Sequence, residues 1–301
     1  MNGLDWILSS ARFVSLAGSI LLAAIFWFYL LIGGSRTGSG RPEFFPRRLA
    51  LILGLVACLG QIAWLGALFW SMDPDLGSAG FDQFTTFFFG TQVGKIGFLR
   101  CCLLLLVVAY IGFRRRMSGS SFLPLVLVFA QLVLLSWLSH AAAVVGPFSG
   151  LQLGNDILHL TGVAIWPGAL IPLWLFLKQP APDLTKRKAL LRFSNVAVIV
   201  APLVGATGIL SGYFRVHSLA PLLTTPYGRY VLFKAACFLV LIGLGAANRF
   251  RLIPELIGNS RTNPSSPESW RKLQRNILIE QLIFVVVLLA VARLVQLPPP
   301  G

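Results

Sequence analysis

Acidic residues are scarce. Aspartate and glutamate number 10 against 25 lysines and arginines in 301 residues, and charged residues make up only 12% of the chain. Soluble domains carry about 25%, so a water-soluble globule is excluded. Histidine and methionine each occur three times and cysteine four times. Cys58, Cys101, Cys102 and Cys237 all lie within long apolar runs, which argues against a disulfide framework. The chain has no Met-x-x-x-Met or Cys-x-x-Cys pair that would suggest a thioether or thiolate conduit. A Walker loop, a Rossmann fingerprint, HExxH and a nucleophile elbow are also missing. ATP-driven transport by this chain alone is therefore not expected, and no enzyme signature is present.

What remains is apolar. Hydrophobic residues make up 56% of the chain, with a mean hydropathy of +0.79. A spanning helix needs about 20 such residues. Eight runs qualify: about 11–32, 49–70, 94–113, 122–142, 157–177, 193–211, 229–248 and 277–297. The expected fold is all-α, a polytopic transmembrane helical bundle of eight helices forming one integral membrane domain over 1–301. The helices of about 11–113 read as an N-terminal scaffold, and no short repeat is visible. Lys95 and Arg100 fall in the first turns of the third run and are expected to snorkel to the interface. The N-terminal apolar run is too long for a cleavable signal and ends in no small-residue cleavage site.

The net charge of +15 is not a nucleic-acid signature, because the basic residues gather in alternate short loops. Arg36, Arg41, Arg47 and Arg48 follow the first run, and Arg114, Arg115 and Arg116 follow the third. Lys178, Lys186, Arg187, Lys188 and Arg192 surround the loop after the fifth. Arg249, Arg251, Arg261, Arg271, Lys272 and Arg275 follow the seventh. The positive-inside rule makes that side cytoplasmic, so both termini face the periplasm. The inward stretch Arg249 to Asn276 has a linker composition. The Phe87-Phe88-Phe89 run is expected at the outer interface.

The polar signal concentrates around Ser136 to Leu177. His140 ends the fourth run, and Asp156 and His159 open the fifth on the same side. Asp156 and His159 are three apart and share a helix face. His217 follows the sixth run, again outward. Imidazole suits copper, zinc and iron, and a carboxylate next to it can be a ligand or fix its tautomer. The residues alone leave two readings open: a metal site of His140, His159, Asp156 and His217, or a set of interhelical polar clamps. Deeper charges are Lys234, able to snorkel outward, and Glu280, expected to pair with Arg249 beside Asn248 at the inner end or to line an ion pathway. Pro172 and Pro202 are expected to kink their helices.

Several motifs together resemble the copper resistance protein D (CopD) family of bacterial inner-membrane proteins. They are Trp137 and SHAAA around His140, NDILHLTGVAIWPGAL with Asp156, His159, Trp166 and Gly168, and RFSNVAV from Arg192. Further on come Thr207-Gly208, TTPYGRYVLFKAA with Tyr227, Gly228 and Lys234, AANR at Asn248 and Arg249, and Glu280. The resemblance covers about 136–297. Where the family reads Trp-x-Gly-Gly, this chain has Ala169 in place of the second Gly, and no attached copper-binding domain is expected. The resemblance implies copper resistance or copper transport from periplasm to cytoplasm, a periplasmic-side copper site at His140 and His159 with Asp156 as ligand or orienter, and a small CopC-like periplasmic partner. The alternatives are a membrane cytochrome holding haem b between two histidines, a factor delivering copper to a respiratory oxidase, and a metal-free structural protein.

Overall fold

The computed structural model describes residues 3–33, 46–72, 81–114, 122–139, 147–180, 183–216, 218–258, 267–298 and 300. Among these residues every regular element is helical. Helix α1 spans Gly3–Gly33, α2 Arg47–Met72, and the short α3 Phe81–Thr85 runs into a π-helical turn at Thr86–Gly90. Helix α4 spans Gln92–Phe113 and α5 Phe122–Trp137. Next come α6 Ser149–Val163, a π-helical turn at Ala164–Gly168, and α7 Leu170–Lys178. Helix α8 spans Asp183–Val216, α9 Ala220–Thr224 and α10 Pro226–Ala247; a π-helical turn at Asn248–Leu252 leads into α11 Ile253–Gly258, and α12 is Pro267–Leu294. Seven helical stretches are long and apolar enough to cross a membrane, and the 16-residue α5 is a shorter apolar helix at the fourth expected place. The bundle is all-α and polytopic.

Element identity follows the apolar runs, but several helices overshoot them. The α6–α7 stretch begins at Ser149, through Gly150 and Gly154, rather than near residue 157. Most of the expected inward linker is helical, because α10 continues through the π-helical turn and α11 to Gly258 and α12 already begins at Pro267. In the Phe run, Phe87 is buried and packs against Phe69, while Phe89 is exposed. The break in the fifth span falls at Ala164–Gly168 around Pro167, ahead of the expected Pro172. Proline supplies no N–H to the ladder, and the π-helical turn absorbs that loss. Gly168 lets this turn sit on α1: a Cβ there would lie 3.1 Å from Ile20 and 3.3 Å from Ala24.

The packing has a two-part order that the sequence hides. In the first half α1 packs on α2, α2 on α4, α4 on α5 and α5 back on α1. In the second half α6 packs on α8, α8 on α10, α10 on α12 and α12 back on α7 and the π-helical turn before it. The halves meet through α1 against that turn, with α1 on α12 matched by α5 on α6. Details recur as well. Thr91 and Thr225 each cap the third long helix by accepting from the backbone N–H three residues on, that of Gly94 or Gly228, at 3.0 Å. Both glycines touch the preceding short segment so closely that a Cβ would lie 2.1 Å from the Phe87 carbonyl or 2.2 Å from that of Pro221. Arg100 and Lys234 occupy the same place after these caps. Gln131 and Gln281, on the fourth helices, donate to the backbone carbonyls of Ser19 and Pro167 on the first helix of their own half. The chain is thus a duplicated four-helix unit, with α1 and α6–α7 back to back.

Candidate functional site

Asn155, Asp156 and His159 project from the middle of α6, because the helix starts seven residues before Asp156. Asn155 and His159 are four apart and face α8 together. Asn155 is buried, and its Nδ2 donates to the Thr207 carbonyl at 3.0 Å and to Ser211 Oγ at 2.8 Å. His159 Nδ1 lies 3.0 Å from Thr207 Oγ1. The Thr207 hydroxyl already donates back to Leu203 O at 2.7 Å, with Val204 O at 3.1 Å. Its single proton is spent there, so it accepts from His159. Neutral His159 therefore carries its proton on Nδ1 and keeps an unprotonated Nε2. A hydrogen bond on one ring nitrogen that leaves the other as a lone pair is the arrangement of a metal-ligating histidine. The ring lies over Gly208, where an added Cβ would be 3.4 Å from Cε1. This accounts for the Thr207-Gly208 pair.

Asp156 does not orient His159; Thr207 does. Rotation by one helical position sends the carboxylate elsewhere, to Ser139 Oγ, which donates to Oδ2 at 2.9 Å, and to Arg215 Nη2 at 3.4 Å from Oδ1. Arg215 is also within electrostatic range of the buried Tyr227. Lys234 is half-buried and within electrostatic range of Asp156 and His159, as is Arg215. Arg12, buried on α1, acts on Asp156 as well, donates to Leu138 O at 3.1 Å and lies over the Trp64 ring at 4.7 Å. Three cations thus surround one carboxylate. Among the described residues no three His, Cys, Asp or Glu side chains converge. His140 and His217 lie outside the described residues.

At the other polar centre, Arg249 and Glu280 do not pair. Glu280 is 1% exposed, and its Oε1 accepts from Asn248 Nδ2 at 2.6 Å, while Asn248 Oδ1 accepts from Asn276 Nδ2 at 2.8 Å. Arg249, one position on and rotated away, donates to Ser194 Oγ at 2.7 Å and Asn195 Oδ1 at 3.3 Å. Arg100 does not snorkel either. It is 0% exposed and bonds Ser15, Ser19, Gln61 and the Gln131 carbonyl. Sequence reading passed over Asn155 and Arg215 as site residues. Asn155 stood next to Asp156, and Arg215 was a lone outward arginine beside His217.

Two family profiles match the chain in succession. The family profile described as "Copper resistance protein D" matches residues 187–294, and that of "Copper resistance protein D-like, N-terminal domain" matches 3–151. The chain is 30% identical over 220 residues to "Copper transport protein CutJ" of Bacillus subtilis, covering 70% of this chain and 38% of that protein. It is 28% identical over 173 residues to "Inner membrane protein YebZ" of Escherichia coli, covering 56% and 57%. It is 27% identical over 171 residues to "Copper resistance protein D" of Pseudomonas syringae pv. tomato, covering 54% and 55%. The chain thus spans between 38% and 57% of the length of these relatives. No solved structure matches it.

Proposed function

We propose that this chain, which belongs to the copper resistance protein D family, is a multi-pass protein of the bacterial inner membrane that handles copper. Its role is to carry copper from the periplasm inward or to confer copper resistance, and not to act as an enzyme. Relatives named for copper transport, copper resistance and the inner membrane support that reading. Eight spans with both termini periplasmic put the α6 site on the outer side, where a small CopC-like protein would deliver the ion.

The observation that carries the site is the Thr207–His159 bond at 3.0 Å, which leaves Nε2 as a lone pair. Asp156, three residues earlier on α6, supplies a carboxylate. His140 follows Ser139 directly, and His217 comes two residues after Arg215. Ser139 and Arg215 both bind Asp156.

The test is copper content of purified protein after loading, comparing wild type with His159→Ala and with the His140→Ala/His159→Ala pair, followed by copper flux into proteoliposomes. Histidine-bound copper lost in the variants, with flux in wild type, is the expected result. Copper binding without flux would identify a delivery factor. A Soret band lost in the double variant would replace this reading with a haem b cytochrome. If histidine-bound copper is absent from wild type, the histidines are polar clamps.

A further inference from the structure

Among the described residues, the buried cation of the N-terminal half, Arg100, has no acidic partner. All the hydrogen-bond partners of Arg100 are neutral: two serine hydroxyls, the Gln61 amide oxygen and the Gln131 carbonyl. An unpaired charge in a low-dielectric interior is costly, so the site is built for an anionic partner. Two thiols lie beside it. Cys58 on α2 and Cys101 on α4 are buried and unbridged on packed helices; Cys101 follows Arg100 directly, Cys58 stands one helical turn before Gln61, which accepts from Arg100, and the two thiols are within electrostatic range of each other and of the guanidinium. Each sits about halfway along its helix. Cys102, next in sequence, is rotated away and half-buried.

We infer that Cys58 and Cys101 form a two-coordinate Cu(I) site in the centre of the N-terminal half, with Arg100 as its built-in counter-ion. The inference rests on the copper reading above. Thiolate is the ligand that selects Cu(I). Binding replaces both S–H protons: Cu⁺ and two thiols give a bis-thiolate copper unit of net charge −1 and two protons released to solvent. That single negative charge matches the single positive charge of Arg100. In the duplicated fold, Arg100 stands where Lys234 stands beside the His159 site, so each half would hold its own copper: one by imidazole near the outer side, one by sulfur near the midplane.

The test uses the full chain in detergent, reduced and loaded with Cu(I) under anaerobic conditions. X-ray absorption at the copper edge of wild type reads the ligands without any substitution, and competition with a Cu(I) chelator reads affinity. The expected result is a sulfur-only, two-coordinate copper component. It should be lost in Cys58→Ser and Cys101→Ser, kept in Cys102→Ser and Cys237→Ser, and kept in His159→Ala. Loss of histidine-bound copper alone would sink the outer site and leave this one standing. No sulfur component in wild type overturns the inference, as does one that survives Cys58→Ser. A Cys58–Cys101 disulfide that, once reduced, takes up no Cu(I) overturns it as well.

Discussion

Asn248, in the π-helical turn after α10, donates to Glu280 of α12 at 2.6 Å, and Asn276 closes the chain of amides behind it. The carboxyl is nearly inaccessible and has a neutral partner where a salt bridge was expected. Glu280→Gln keeps an acceptor for Asn248 and is expected to change stability by less than about 1 kcal/mol. Asn248→Leu strands the buried carboxyl and is expected to cost about 1–3 kcal/mol. Arg249→Gln should behave like loss of an ordinary polar contact, about 0.5–1.5 kcal/mol. Thermal unfolding of the three variants in one detergent decides the order. Equal losses in Arg249→Gln and Asn248→Leu would contradict the neutral pairing.

Helix α1 owes its central place to glycines on its partners. At Gly60 an added Cβ would lie 2.6 Å from the Ser15 backbone nitrogen, whereas at Gly66 nothing lies within 4 Å. A backbone atom cannot swing away as a side chain can. Gly60→Ala is therefore expected to push α1 off α2 and destabilise by about 1–3 kcal/mol. Gly66→Ala, on the same helix, should be neutral or stabilising by up to about 1 kcal/mol through helix propensity. The difference in melting temperature between the two variants is the readout, and similar temperatures would mean that α2 is not held this closely.

Legibility in the sequence followed the kind of force at work. Hydrophobic burial is local in pattern, so the apolar runs located every spanning element, and α2 and α4 nearly to the residue. Helix ends were less legible, since Ser149–Asn155 and Arg249–Gly258 are helical despite glycines and a proline that locally favour a loop. Tertiary packing overrides such weak propensities. The duplication was illegible because equivalent positions keep a physical role and not a residue type, as with Arg100 and Lys234. Partner choice inside the site was half legible. The i, i+3 spacing sets Asp156 and His159 on one stretch of α6, but only the neighbouring helices decide that Thr207 takes the imidazole and Arg215 the carboxylate.

Arg100 tests whether the buried cation is held by charge or by shape. Its guanidinium fork serves partners on α1, α2 and α5 at once. Lysine keeps the charge but not the planar fork. Arg100→Lys is therefore expected to lose about 1–3 kcal/mol of stability by leaving buried acceptors unpaired, and Arg100→Ala more, because a cavity is added. Chemical or thermal unfolding reads both. A lysine variant as stable as wild type would show that a point charge suffices.

Arg215 occupies the carboxylate that the copper reading needs. It lies 3.4 Å from Asp156 Oδ1, and both side chains keep about a fifth of their surface exposed, so the pair can open without a large desolvation cost. A guanidinium there opposes an arriving copper ion twice, by occupying Asp156 and by repelling the metal's charge. Arg215→Gln removes both effects. Copper affinity measured by chelator competition should rise, on the order of tenfold for about 1.4 kcal/mol of relieved repulsion. Asp156→Asn should lower it. The sign for Arg215→Gln separates two roles: tighter binding identifies Arg215 as a gate that copper displaces, while weaker binding identifies it as the group that orders Asp156 for the metal. The positive field from Arg12, Arg215 and Lys234 around one carboxylate favours the gate, since a site with that excess of cations admits copper only when one of them gives way.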